Sequence, residues 1–501
     1  MAETAEGRGK SLSPLIALLT CQVAGTFQIA MLIMIMAPLH RAFTDPLGVA
    51  WILTTCLLTQ AASAAIGGAL GDLFGRRRVL VIALMIVTAG AVTCSLSPSL
   101  WGLILGAALQ GVSGCVTPLC LSLARERMPA NRLQQSVGYI MAAATIGSAG
   151  AIASSGLLVE PIGWRATYVA AAVLAVMGIL ALLAFVPASR ELQVRGAQKT
   201  IWRGAIFAPG IAGLLLGVTN ASVWGWTDLR TVIAIVGSII VLVIWAHGQL
   251  RTERPLIDLR LLKDRRLTFA YLCMALTGAG ALQHTLVMAL FLNQPVATAV
   301  GLGLGAVATS LLLLPIRLVG VATSPISGWL SAGYGARTVV ILGCALATVG
   351  WLIIALFHGT AWLVVLGMFL EGSSSGIIIV GVSNIVLVFA PANRAGEATG
   401  ILGVLRNTFN AIGAQVTGTL LAAASIKLPG ATTTYPAENA YMFAFSYIAL
   451  ISLTSLIVAI LIPRDRVTLD RDQDGPRQRG PQTHPMSATN IVRQVMRPVE
   501  K

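Results

Sequence analysis

Four side chains able to carry charge stand well inside long apolar stretches of this 501-residue chain: His284, Arg317, Glu371 and Arg406. A bare charge facing lipid costs roughly 2.5–3.5 kcal/mol on insertion scales, so such groups are tolerated where they face water or an opposite charge. At 1.5 Å of rise per residue, Arg317, Glu371 and Arg406 each lie on the order of 15–20 Å from the ends of their stretches, close to a membrane midplane. Two cations and one acid make a net-positive cluster. It suits an anionic head group, carboxylate or phosphate-like, which a planar guanidinium can grip through two hydrogen bonds. A structural Arg–Glu ion pair is the competing reading of the same residues. Glu371 is also the candidate proton carrier, in a segment loosened by glycine and serine, "FLEGSSSGIIIVG". His284 follows Gln283 and reads first as a hydrogen-bonded core histidine, second as a proton or substrate site. Gln110 and Asn410, with Gln28, Asn384 and Asn407, are uncharged polar groups on the same kind of stretch. Each reads equally as a ligand contact or as an interhelical hydrogen bond.

A second constellation lies in the gap between two apolar stretches: "GGALGDLFGRR", residues 67–77, followed by Arg78. Gly75 permits a tight turn there. Arg76, Arg77 and Arg78 hold the gap on the cytoplasmic side of a membrane. Asp72 is the one acid among them.

The elements that must position these residues are helices in a bilayer. The chain is 56% hydrophobic and 11% charged, with a mean hydropathy of +0.83. A soluble protein of this length needs more charge to cover its surface. The apolar runs are continuous rather than alternating, which selects helices over a barrel. The net charge of +15 does not indicate nucleic acid, because the bases sit in short gaps between apolar runs with no interleaved aromatics. The seven cysteines all fall in apolar runs, without metal-ligand spacing, so neither a disulfide nor a metal or other cofactor is expected. No paired acid and base or metal-ligand cluster suggests an enzyme.

Fourteen spans are read, which places both termini on one side. Of the 34 lysines and arginines, only Arg41, Arg165, Arg230 and Lys427 fall in one set of gaps, and Arg317 and Arg406 fall within spans. The rest mark the N-terminus, the alternate gaps and the C-terminal tail as cytoplasmic. The expected organisation is a cytoplasmic N-terminus (1–13), a six-helix bundle (14–190), a linker with two inserted helices (191–266), a second six-helix bundle (267–463) and a disordered cytoplasmic tail (464–501) that meets anionic lipid. The first apolar run is too long for a signal-peptide core and is retained as a helix. One chain suffices for such a fold; no oligomer is required.

The opening of the loop constellation returns after 260 residues as "SGWLSAGYGAR" (327–337), with Gly68, Leu70, Gly75 and Arg77 matched by Gly328, Leu330, Gly335 and Arg337. Parallel halves with a weak repeat mark a transporter. The loop motif G-x-L-x-D-x-x-G-R-R resembles that of the major facilitator superfamily, and the six-plus-two-plus-six layout resembles its fourteen-helix drug:proton antiporter branch. "LQG" (109–111), "GLLVEPIGWRATYV" (156–169) and "RPLIDLRLLKDRRLTFA" (254–270) add to the resemblance.

The resemblance implies an all-α membrane protein of fourteen transmembrane helices in the plasma membrane. It implies efflux of a small amphipathic compound, of multidrug type, in exchange for protons. It also implies a conformational latch of Gly68, Asp72, Gly75, Arg76 and Arg77, in which Asp72 meets an arginine and the positive end of a helix beginning near Gly396. The branch's acid is absent from the first span, "GTFQIAMLIMIMAP" (25–38), and its fourth-span arginine is replaced by Ala107. The fifth span, "GSAGAIASSG" (147–156), lacks the branch's proline, and Leu73 stands where the family has arginine. The alternative is an organic-anion carrier, for uptake or uncoupled, with its site in the C-terminal half. The small-residue strings "AASAAIGGALG" and "GSAGAIASSG" are expected to pack the two halves closely together.

Overall fold

Runs of Leu, Ile, Val and Ala that meet no water must satisfy their backbone polar groups within the segment, and helices do so. The computed structural model is accordingly helical almost throughout. It describes residues 2–464 apart from 44, 160, 188–205, 253, 254, 256, 296, 297, 299, 301, 302, 304, 305 and 428–433. Most of the linker before the inserted helices and all but the first residue of the expected tail therefore lie outside the described residues.

The helices in order are α1 (Ala2–Met34), α2 (Met36–Ala42), α3 (Pro46–Phe74), α4 (Arg76–Leu96), α5 (Leu100–Gly111), α6 (Val116–Arg127), α7 (Ala130–Val159) and α8 (Arg165–Phe185). The inserted pair is α9 (Phe207–Trp224) and α10 (Leu229–Arg251). The second half comprises α11 (Arg265–Ala279), α12 (His284–Asn293), α13 (Ala306–Tyr334), α14 (Ala336–Phe357), α15 (Ala361–Phe389), α16 (Ala395–Ala422) and α17 (Glu438–Leu461). A two-stranded hairpin, Ser425–Lys427 against Thr434–Pro436, precedes α17.

Eleven segments among the described residues are long and apolar enough to cross a membrane. Stretches α9, α13 and α16 are helical but are not among those eleven: α9 offers the shorter apolar run Phe207–Ala221, and α16 carries Glu397, Arg406, Asn407 and Asn410. Large apolar side chains such as Trp101, Leu157, Ile240 and Leu356 are exposed on the outer surface, as a lipid-facing surface requires. This is a multi-pass membrane protein.

Two of the crossing segments are interrupted. A 3₁₀ turn, Val112–Cys115, separates α5 from α6, and another, Ala281–Gln283, follows Gly280 between α11 and α12. The repeat is structural as well as sequential. The α3–α4 corner turns at Gly75 (φ 92) and the α13–α14 corner at Gly335 (φ 84), a backbone conformation open chiefly to glycine. Arg77 donates to the carbonyls of Leu182 and Leu183 at the end of α8. Arg337 donates to those of Ile460 and Ile462 at the end of α17.

The halves meet along two seams, α3 on α16 and α7 on α13. In the first, a Cβ on Gly68 would stand 2.1 Å from the Gly396 carbonyl oxygen, and one on Gly400 2.7 Å from that of Ala64. In the second, a Cβ on Gly138 would meet the Ser324 carbonyl at 2.6 Å. The small residues of α3 therefore do pack the halves together. The string 147–156 of α7 does not do so through its described glycines: Gly147 packs on Val23 and Thr26 of α1 in its own half, Gly150 faces open space, and the close contact with α13 is made by Gly138, outside that string. The inserted helices join the bundle through Phe207, Ile211, Leu215 and Trp245, which share a core with Ala61–Ala69 of α3 and Val404 of α16.

Candidate functional site

At one end of the α3–α16 seam sits Asp72. Its Oδ1 accepts from the backbone N–H of Gly396 (3.2 Å) and its Oδ2 from that of Glu397 (2.8 Å). These are donors that the first turn of α16 cannot satisfy internally, and the helix dipole adds positive potential there. Arg76 donates to Asp72 at 2.9 Å, and also to the carbonyl oxygens of Ser122 (3.0 Å) and, across the seam, Ala392 (2.7 Å). Arg125 reaches the Ala390 carbonyl at 2.7 Å. Gly68 gives the close approach and Gly75 the turn that aims Arg76 and Arg77. The counterparts of Asp72 and Arg76 in the repeat are Ala332 and Ala336, so this acid–arginine pair is not repeated at the second corner.

The same turn of α16 holds a second network. The Glu397 carboxylate accepts the backbone N–H of Asp258, which lies beyond the inserted helices. Arg394 pairs with the Asp258 carboxylate, and Tyr271 donates to the Ala398 carbonyl.

Beyond the closed seam the helices part around a cavity of ≈ 700 Å³, within the usual range for small-molecule sites. The first half supplies an apolar wall with Ile29, Ile33, Leu57 and Leu58; the second supplies His284, Arg406, Asn407 and Asn410. Among the described residues, no carboxylate lines it.

Arg406 is half-buried. Its Nε lies 3.4 Å from Asn407 Oδ1, and among the described residues no acid pairs with it. The side chain of Arg317 lies outside the described residues. Glu371 is 1% exposed and sits behind the lining, its Oε1 3.2 Å from His284 Nδ1. That nitrogen is also 3.2 Å from the Ala281 carbonyl. The expected cluster is thus rearranged: the acid meets the histidine that opens α12, and Arg406 stands apart from it. The break at Gly280 turns His284 towards the cavity.

Asn410 is exposed to the cavity and held by Gln283 Nε2, 3.0 Å from its Oδ1. Gln110 does not line the cavity. It is fully buried at the end of α5, where the chain packs on Gly90 of α4, and neither of its side-chain polar atoms has a protein partner. Gln28 bonds the Ala171 carbonyl, and Asn384 points at the Gln134 carbonyl; neither reaches the cavity. Sequence reasoning missed Leu215 and Thr219 of inserted helix α9, which line the cavity, and Gln415, whose Nε2 bonds the Thr219 carbonyl at 3.0 Å. Nothing in an uncharged apolar insertion marks it as part of a cavity wall.

The family described as Major Facilitator Superfamily matches residues 17–414 and 318–495. The chain is similar to the "Multidrug resistance protein Stp" of Mycobacterium tuberculosis (strain ATCC 25618 / H37Rv), 26% identical over 379 residues, 75% of this chain and 69% of that protein. It is similar to the "Tetracenomycin C resistance and export protein" of Streptomyces glaucescens, 25% identical over 399 residues, 77% and 70% of the two chains. Its fold is similar to the crystal structure of the human organic anion transporter MFSD10 (TETRAN), with a TM-score of 0.66 at 16% identity, covering 90% of this chain and 99% of that one.

Proposed function

This chain belongs to the Major Facilitator Superfamily and is a transporter rather than an enzyme; on that premise we propose that it exports small amphipathic organic compounds from the cell in exchange for protons. The observation that carries the proposal is the ≈ 700 Å³ cavity between the halves, closed at the Asp72 end. The names of the two relatives, resistance and export, support the direction.

In this reading the chain has fourteen spans, bundles at 14–190 and 267–463, and inserted helices within 191–266. Both termini face the cytoplasm, by the distribution of Lys and Arg. The closed seam is then the cytoplasmic gate, and the cavity faces outward. Gly68, Asp72, Gly75, Arg76 and Arg77 form the latch that stabilises this state. The first half has no carboxylate or histidine well inside its spans, so coupling falls to Glu371, with His284 between it and the cavity.

A second reading, an organic-anion carrier working by uptake or without coupling, is favoured by Arg406 standing without an acid partner in a cavity free of carboxylates. Proteoliposomes with an imposed pH gradient test both. Uphill accumulation of an amphipathic dye, lost in Glu371→Gln, is the result expected of the exporter. Downhill flux of organic anions that ignores the gradient replaces it with the carrier, and no flux of any amphiphile removes both.

A further inference from the structure

Between the cavity and the gate lies a second pocket of ≈ 80 Å³. Arg406 and Asn407 are among the residues that line both spaces, so Arg406 lies where the two adjoin. Ala64 and Gly403 line the small pocket too, one turn from the Gly400–Ala64 contact of the seam. The remaining walls combine apolar side chains such as Met274 and Leu402 with hydroxyls, among them Ser113, Thr117 and Ser383, and among the described residues no carboxylate.

Ser113 is 4% exposed, and its Oγ has no protein partner. A buried hydroxyl left in this way costs about as much as a lost hydrogen bond, unless something else fills the place. Its position is built deliberately. The Val112–Cys115 turn opens the helix there, and Gly114 lets the turn come so close that a Cβ would stand 2.1 Å from the Gln60 carbonyl. Mid-helix 3₁₀ turns of this kind often mark functional positions. A pocket of this size holds a few waters or a compact polar group, and not an aromatic body. An arginine without a counter-charge at its mouth calls for an anion.

We propose that this pocket is the head-group subsite of the transport cavity, taking the carboxylate of an amphipathic organic acid. Arg406 binds the carboxylate and the Ser113 hydroxyl donates to it. The apolar body lies in the larger cavity against Ile33, Leu57 and Leu58. The inference rests on the cavity being the transport site. It adds that the bound charge touches both halves directly above the seam that has to part.

The test is a thermal-melt titration of the purified full-length protein with three naphthalene probes of matched shape: 2-naphthoate, 2-naphthylmethanol and 2-naphthylmethylammonium. The alcohol reports on the large cavity alone. The expected result is a larger stabilisation by naphthoate than by the alcohol, and none by the cation beyond the alcohol's.

Arg406→Gln weakens naphthoate ~10–100-fold, the scale of a lost hydrogen bond to a charge, and so removes its excess over the alcohol. Gly403→Val weakens naphthoate likewise by filling the small pocket and leaves the alcohol unchanged, since Gly403 does not line the large cavity; a Cβ there meets only Ala64 Cβ, at 3.6 Å, so the helix accommodates it. The retained alcohol response shows that the Gly403→Val protein is folded, and a cooperative melt without ligand shows the same of Arg406→Gln. Equal responses to alcohol and naphthoate in the wild type, or a naphthoate excess that survives Gly403→Val, overturn the subsite while leaving the cavity intact. No response to any probe removes the cavity reading and the subsite with it.

Discussion

Asp72 of one half and Glu397 of the other are joined through the backbone: the Glu397 N–H donates to Asp72 Oδ2 at 2.8 Å. The side chain of Glu397 is engaged elsewhere, on the N–H of Asp258. One turn of α16 is therefore held from the first half by Asp72 and from the end of the inserted pair by Asp258.

Asp72→Asn keeps the shape and removes the charge that faces the α16 N-terminus and Arg76. It is expected to destabilise the closed gate by about 1–2 kcal/mol. A cysteine placed at Thr399, buried behind the gate, reports this: its alkylation in inside-out vesicles should quicken roughly ten-fold. An unchanged rate would dismiss the latch.

Asp258→Ala should shift the same reporter in the same direction by a smaller amount. Because Asp258 and Asp72 act on one turn, their effects should not add. A double-mutant cycle is expected to give a coupling of about 0.5–1 kcal/mol. Strict additivity would mean that the inserted helices leave the gate alone.

Gly68→Ala puts a Cβ where the Gly396 carbonyl already stands, at 2.1 Å. The α3–α16 seam must widen, at a cost of about 1–3 kcal/mol. Transport should fall steeply while the protein remains monodisperse in detergent. Gly150→Ala is the control, since its Cβ would meet nothing within 4 Å, and it should transport normally.

Glu371→Gln leaves His284 beside a neutral amide of the same shape. Gradient-driven accumulation should disappear while downhill flux stays within about two-fold, as expected when coupling is removed but binding is not. His284→Asn should reproduce the pattern. If either variant retains full uphill transport, the proton travels by another route.

The loop at residues 67–77 was legible because its parts are local. Gly75 must turn, and an acid and an arginine four residues apart on either side of so tight a corner are brought within reach of each other by it. The position of Asp72 opposite Gly396 spans 324 residues and came only with the family resemblance. Glu371 shows what sequence could not supply. Its charge at midplane was evident, but its neighbour depends on a helix break at Gly280 that moves His284 within 3.2 Å. Gln110 looked like a ligand contact because polarity inside an apolar run was the only signal available; which face of α5 it occupies is decided by packing on α4. The 3₁₀ turn at Ser113 left no signature beyond one glycine.

The α3–α16 seam is made of Gly68, Ala64, Ala65, Gly396 and Gly400, with carbonyl oxygens against α-carbons. Apart from Asp72 and Arg76 at its end, these glycines and alanines offer no side chain larger than a methyl to swing aside. A rotamer flip, complete in nanoseconds, cannot open it. Passage requires two whole helices to separate as rods, on the microsecond-to-millisecond clock of collective motions. In the proposed transport cycle, that separation bounds how fast the gate opens, whichever substrate is carried.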